Sequence, residues 1–188
     1  GLTWDGDPRV KPPFGAAEID WGHPLMRDIR AVALLNEGAG SPLDSHTGQS
    51  CPFTDPKWGI SPGGVGPDFS ITDTRYIDRN GVGQLATGSI VVRAFLRTLP
   101  ATGVIHALCS FKSEAEAEPF TTHDKGLQLY PSSETNVEAR AYIYDGGGKT
   151  VSGATNLGNP GASYGREITL GMTFDGTTLR LYLNGAQD

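Results

Sequence analysis

The chain has 188 residues, 37% of them hydrophobic and 19% charged, which is enough for one sizeable core and unlike a disordered tail or a membrane protein. A formal charge of −6 and an isoelectric point near 5.1, with no cluster of lysine and arginine, argue against nucleic acid as a partner, because that partner calls for a basic stripe. No apolar run approaches the ~18 residues of a spanning helix, so membrane insertion is not expected either.

The first residue is Gly1 rather than methionine, which reads as a processed, tagged or trimmed product and leaves export undecided. Residues 1–24 carry Asp5-Gly6, Pro8, Pro12-Pro13 and Gly22, with Trp4, Phe14 and Trp21 between them. They are expected to form an extended arm without its own core, with residues 25–188 as one domain. Arg30 to Asn36, RAVALLN, is expected to be the first strand; a mostly apolar run suits a strand covered on both faces. Asp44, Ser45, Thr47 and Gly48 form a turn cluster. Pro and Gly then dominate residues 52–67, with Trp58 as an anchor. Phe69 to Ile71 and Tyr76-Ile77 are short strand candidates.

Ser89 to Thr98, SIVVRAFLRT, alternates with period two. Ile90, Val92, Ala94 and Leu96 share one face, and Val91, Arg93, Phe95 and Arg97 the other. Val104 to Phe111, Gly126 to Tyr130 and Glu138 to Asp145 are further strands. In the last of these, Ala139, Ala141 and Ile143 oppose Arg140, Tyr142 and Tyr144. Residues 146–148 and the Gly/Asn/Pro-rich stretch 153–165 read as loops. Arg166 to Gly185 reads as a hairpin: Ile168, Leu170, Met172 and Phe174 alternate with polar residues, Asp175-Gly176 turns the chain, and Leu179, Leu181 and Leu183 return it. Asn184-Gly185 marks a second turn. With no 3.6-residue period anywhere, these elements predict an all-β antiparallel sandwich or jelly roll.

The hairpin MTFDGTTLRLYLNG resembles a signature found late in laminin-G-like domains of the concanavalin-A-like lectin and glucanase superfamily. The opening IDWGHPLMRDIRAVALLNEGAG with its Asp44-Ser45 turn resembles the start of such domains, and the likeness spans roughly residues 20–185. The opening also resembles laminin-G-like domains of bacteriophage and environmental bacterial proteins. The resemblance implies a concanavalin-A-like jelly roll and a non-catalytic surface module, on a virion or outside the cell, that binds glycan or protein. A capsid decoration and a fibre or tail adhesin are the roles it points to, with capsid or neighbouring subunits as partners. Two rivals stand beside it: a secreted bacterial carbohydrate-binding module of a larger enzyme, and a structural capsid or surface-layer protein that cements its neighbours. Such domains continue past the Asn-Gly turn with further strands, the last pairing beside the first strand. Ending at Asp188 therefore reads as a fragment, a sheet completed by a neighbour, or an edge covered by the N-terminal arm.

The resemblance also frames the candidate sites. Calcium in such domains is held by Asp or Asn side chains and loop carbonyls, as a hard cation requires, and Asn36, Glu37 and Asp44 are the candidate cluster; Asp44 serves equally as a plain turn residue. Tyr130, Tyr142, Tyr144 and Tyr182 lie on polar faces of strands, where aromatics either stack on sugar rings or pack beneath loops. Glycosidases of this superfamily place carboxylates on one strand face. Here Glu114, Glu116 and Glu118 alternate, but with alanines between them and Pro119 following, they read as a solvated loop. His123-Asp124 lacks a nucleophile motif to serve, and Gly63 to Gly66 opens no helix and so is no phosphate loop. Cys51 and Cys109 are read as a disulfide or as two separate thiols, and fit no zinc pattern.

Overall fold

The computed structural model describes residues 2–3, 18–69, 77, 87–111, 125–143 and 149–188. It is all-β with antiparallel pairing, and no α-helix occurs among the described residues. The strands are β1 (Leu2–Thr3), β2 (Glu18–Ile19), β3 (Trp58–Ser61), β4 (Gly64–Pro67), β5 (Gly88–Thr98), β6 (His106–Phe111), β7 (Lys125–Ser133), β8 (Asn136–Ile143), β9 (Lys149–Asn156), β10 (Ser163–Phe174), β11 (Leu179–Leu183) and β12 (Ala186–Gln187). A single 3-10 turn spans Pro24–Met26. The chain forms two compact units, Gly1–Val82 and Gly83–Asp188.

The second unit holds two four-stranded sheets, ordered β12-β11-β10-β5 and β6-β7-β8-β9. Period-two alternation aims one set of side chains from each sheet into a common interior. Ile90 and Leu96 of β5, Ile168, Leu170 and Met172 of β10 and Leu181 of β11 meet Leu127 and Leu129 of β7 and Val137, Ala139 and Ala141 of β8. These are the faces expected for β5, β8 and the 166–185 hairpin. The opposite face of β5 is open, with Val91 72% exposed.

The hairpin turn follows from its residues. Gly176 adopts φ +96°, a conformation that side chains resist. Asp175 Oδ1 accepts the N–H groups of Thr178 and Thr177, and Oδ2 accepts Arg180 Nη1. Those donors hold the Asp175 carboxyl down at about 2.

Two segments depart from the alternation reading. Arg30 to Asn36 is not a strand: Ala33 makes only an isolated bridge to Asp44. Its backbone is bound locally instead, with Val32 N–H donating to Asp44 Oδ1 and Ser45 N–H to the Val32 carbonyl. Leu35 then takes φ +56°, which breaks any extended run. Conversely, 153–165 is not one loop. β9 reaches Asn156 and β10 starts at Ser163, and the turn between them uses Gly158 and Gly161 at positive φ. The candidate Tyr76-Ile77 shows one bridge, Ile77 to Phe53; residues 70–76 lie outside the described residues.

The first unit is organised differently. Its buried apolar side chains among the described residues are Pro42, Cys51 and Phe53, while Trp21 (42%), Ile60 (81%) and Phe69 (50%) stand exposed. Ile60 and Val65 face each other across the β3–β4 pair. Phe53 packs edge-on against Trp58, whose Nε1 donates to the Gly40 carbonyl. Hydrogen bonds thus do here much of what a core does in the second unit.

Both cysteines are free thiols. Burial pushes the Cys109 thiol up to about 11, so its thiolate, the reactive form, is scarce at neutral pH. His106 sits opposite Leu129 on β6, with its Nε2 buried and unpartnered. Desolvation lowers its pKa below 6.5. The unfolded chain therefore takes up this proton first. Stability is full above the ordinary histidine range, drains as pH falls through it, and levels off below the lowered folded value. The fall in urea midpoint between about pH 8 and about pH 5.5 should shrink in His106→Leu. An unchanged fall would show that other groups carry it.

Candidate polar face of the second sheet

The face of β7 and β8 turned away from the core is polar, and it is substantially covered. Leu127 and Leu129 point inward, so Gln128 and Tyr130 point outward; Val137, Ala139 and Ala141 point inward, so Asn136, Glu138, Arg140 and Tyr142 point outward. Register sets Gln128 beside Arg140, Tyr130 beside Glu138, and Gly126 beside Tyr142.

Arg140 organises this face. Its guanidinium lies 3.7 Å from the centroid of the Tyr130 ring, a cation–π stack. Its Nε and Nη2 donate to Glu138 Oε2 at 3.3 and 3.1 Å. Glu138 Oε1 accepts Ser132 Oγ at 2.7 Å and Asn136 Nδ2 at 2.9 Å. The two charged side chains are only 18% and 16% exposed. Such a network is held in one geometry before any ligand arrives.

The structure separates the four candidate tyrosines. Tyr130 is half-buried, with one ring face under Arg140. Tyr142 is fully buried, the covered arrangement that stood beside the sugar-stacking reading: a ring without open surface offers no face. Its neighbour on β7 is Gly126, so no side chain there holds the ring away from the sheet. Tyr182 belongs to the other sheet, on β11 in register with Gly171 and Gln187. Tyr144 lies outside the described residues. Alternation alone could not have found Arg140 as the hub; the signal was the Glu138-x-Arg140 spacing, which puts opposite charges on one strand face.

Asn36, Glu37 and Asp44 lie in the first unit. Asp44 is 1% exposed. Its Oδ1 accepts the N–H groups of Val32 and His46 at 3.0 Å each, and its Oδ2 accepts Thr47 Oγ1 at 2.8 Å. Donors thus point at both oxygens, and a cation would have to displace them; the arrangement is that of a turn staple. Glu37 Oε1 accepts the Leu43 N–H at 3.0 Å. Among the described residues no three His, Cys, Asp or Glu side chains group to hold a metal ion. Glu114, Glu116 and Glu118 lie outside the described residues.

Set against known protein families, curated proteins and solved structures, the chain matches none of them.

Proposed function

We propose that this chain is a non-catalytic recognition module, a laminin-G-like jelly roll displayed on a virion or outside the cell, and that it binds glycan. The observation that carries the reading is the Tyr130–Arg140–Glu138 network. It is a rigid, polar and aromatic patch on a sheet face that the apolar core does not use. Rigid aromatic and guanidinium groups supply contact area and hydrogen bonds at low entropic cost, which favours binding. The resemblance of the 166–185 hairpin to laminin-G-like domains supports the same class.

The test is direct. The full chain, labelled, is applied to a printed array of neutral and acidic oligosaccharides. Selective binding to one structural group of glycans is the expected result. An array with no signal above a denatured control would end the glycan reading.

The exposed apolar side chains of the first unit favour a second reading, a structural cementing protein. Ile60 at 81% exposure is the kind of surface that marks contact with another protein. Sedimentation of wild type and Ile60→Asp distinguishes the readings. Assemblies that dissolve in the variant would place assembly first and ligand binding second.

A further inference from the structure

We infer that the chain pairs with a second copy of itself along the side of the second unit where β5 and β6 end their sheets. β5 closes one four-stranded sheet and β6 the other. β5 lies against β6, β10 against β7, and β11 against β8 and β9, so both sheets end on the same side of the sandwich. Exposed apolar side chains mark that side: Val91 (72%) on β5, with Val104 (37%) and Ile105 (42%) just before β6.

The direction of the β5 backbone groups follows from its neighbour. Thr169 N–H donates to Asn184 Oδ1, and the Thr169 carbonyl accepts the Asn184 N–H. Both groups of Thr169 thus point towards β11. Successive residues of a strand aim their backbone groups to opposite sides, so Ile168, Leu170 and Met172 point theirs towards β5, where they meet Ala94, Val92 and Ile90. The residues between these on β5, namely Ser89, Val91, Arg93 and Phe95, aim their N–H and C=O groups out of the sheet. At Ser89, Val91 and Phe95 these groups have no partner among the described residues. Pairing from Gly88 to Leu96 runs without a bulge, and β5 contains no proline. The edge therefore lacks two of the devices that stop another strand from adding to it.

Two observations make the occupant a second copy. A single extended peptide completes one sheet and leaves the other open, whereas a copy related by a two-fold axis normal to the sheets meets β5 with β5 and β6 with β6. The charges on β5, Arg93 and Arg97, then select the register. An axis beside Arg93 or Phe95 sets arginine against arginine, which like charges disfavour. An axis beside Ala94 leaves Ser89 outside the ladder. An axis beside Val92 sets Ser89 against Phe95 of the second copy, free groups against free groups, and Val91 against Arg93 of the second copy. The overlapping run Gly88 to Leu96 spans roughly 30 Å, and two sheets about 10 Å apart with their outer side chains make a side about 20 Å deep. Together the copies bury roughly 1,200 Å², the lower bound of a stable interface. The dimer presents the Tyr130–Arg140–Glu138 face twice, which raises avidity for any repeated ligand.

Sedimentation equilibrium of the full chain at micromolar concentration should give a species at twice the 19.9 kDa of one chain. In Val91→Pro the lost N–H makes no bond inside the chain, and an edge strand tolerates proline. The fold is kept, and the dissociation constant should rise at least about a hundredfold. Val91→Lys leaves the backbone unchanged and sets a like charge against Arg93 of the second copy. It should weaken the dimer at least about tenfold, and Val91→Glu should weaken it less. A wild type that stays at 19.9 kDa up to about 100 μM would overturn the inference. A dimer that survives both Val91→Pro and Val91→Lys would overturn it too. One that dissolves in Ile60→Asp but not in those variants would move the contact to the first unit and refute the β5 edge.

Discussion

Leu181→Ala should lower the unfolding free energy by about 2–5 kcal/mol and Gly153→Ala by about 1–3 kcal/mol, yet the double variant should lose less than the sum. Leu181 is fully buried on β11, and β11 packs across the sandwich interior towards β8 and β9. Gly153 faces it from β9. A Cβ there would lie 2.8 Å from Leu181 Cδ2 and would overlap Asp188 Oδ2. Asp188 is exposed and can swing aside, giving up its bond from Thr155 Oγ1 at 3.0 Å. Leu181 has nowhere to go, so the added methyl overpacks the interior. Truncating Leu181 removes that wall, and the methyl then fills part of the cavity. A favourable coupling of about 1 kcal/mol in a double-mutant cycle is the expected size for such neighbours. Urea unfolding of the four proteins measures it, and strict additivity would show that the two residues do not share this space.

Gly153 also shows why part of the fold was hard to read from sequence. A glycine in the polar run KTVSGATN looks like a loop residue. It marks a place where another part of the chain comes close to a strand, and that partner, Leu181 with Asp188, lies far along the sequence. Arg30 to Asn36 fails in the opposite sense. Its apolar pattern favours a strand, but Asp44 binds the Val32 N–H with a side-chain oxygen, and Leu35 turns to positive φ. One side-chain hydrogen bond at long range outweighs local preference. Where the period-two signal was long, as in β5, β8 and the β10–β11 hairpin, the core faces were legible from alternation alone, even for β5, whose partner β10 lies far along the chain. The site was legible only in part. Alternation placed Tyr130 and Tyr142 on a polar face, but how far each is covered depends on what lies over the sheet. A pattern read along one strand carries no information about that.

Arg140→Ala should cost on the order of 3 kcal/mol, and that cost should exceed the loss from Glu138→Gln. Removing the guanidinium leaves the Glu138 carboxylate in place at 16% exposure, with Oε2 stripped of both its donors. Ser132 and Asn136 still serve Oε1, so half of the carboxylate stays satisfied and half does not. The Tyr130 ring also loses the plane stacked on it. Glu138→Gln, by contrast, removes a charge while keeping an acceptor for Ser132, and leaves Arg140 on its tyrosine. Arg140→Lys should fall between them, because an ammonium keeps the charge but cannot both fork onto Glu138 and lie flat on Tyr130. Joint replacement, Glu138→Leu with Arg140→Met, removes both charges and keeps apolar volume, so it should recover most of the stability lost in Arg140→Ala. Recovered stability without recovered glycan binding would show that the ion pair is kept for recognition rather than for folding. A joint variant as unstable as Arg140→Ala would instead make the pair a structural element of β8, and the recognition surface would have to be sought on another face.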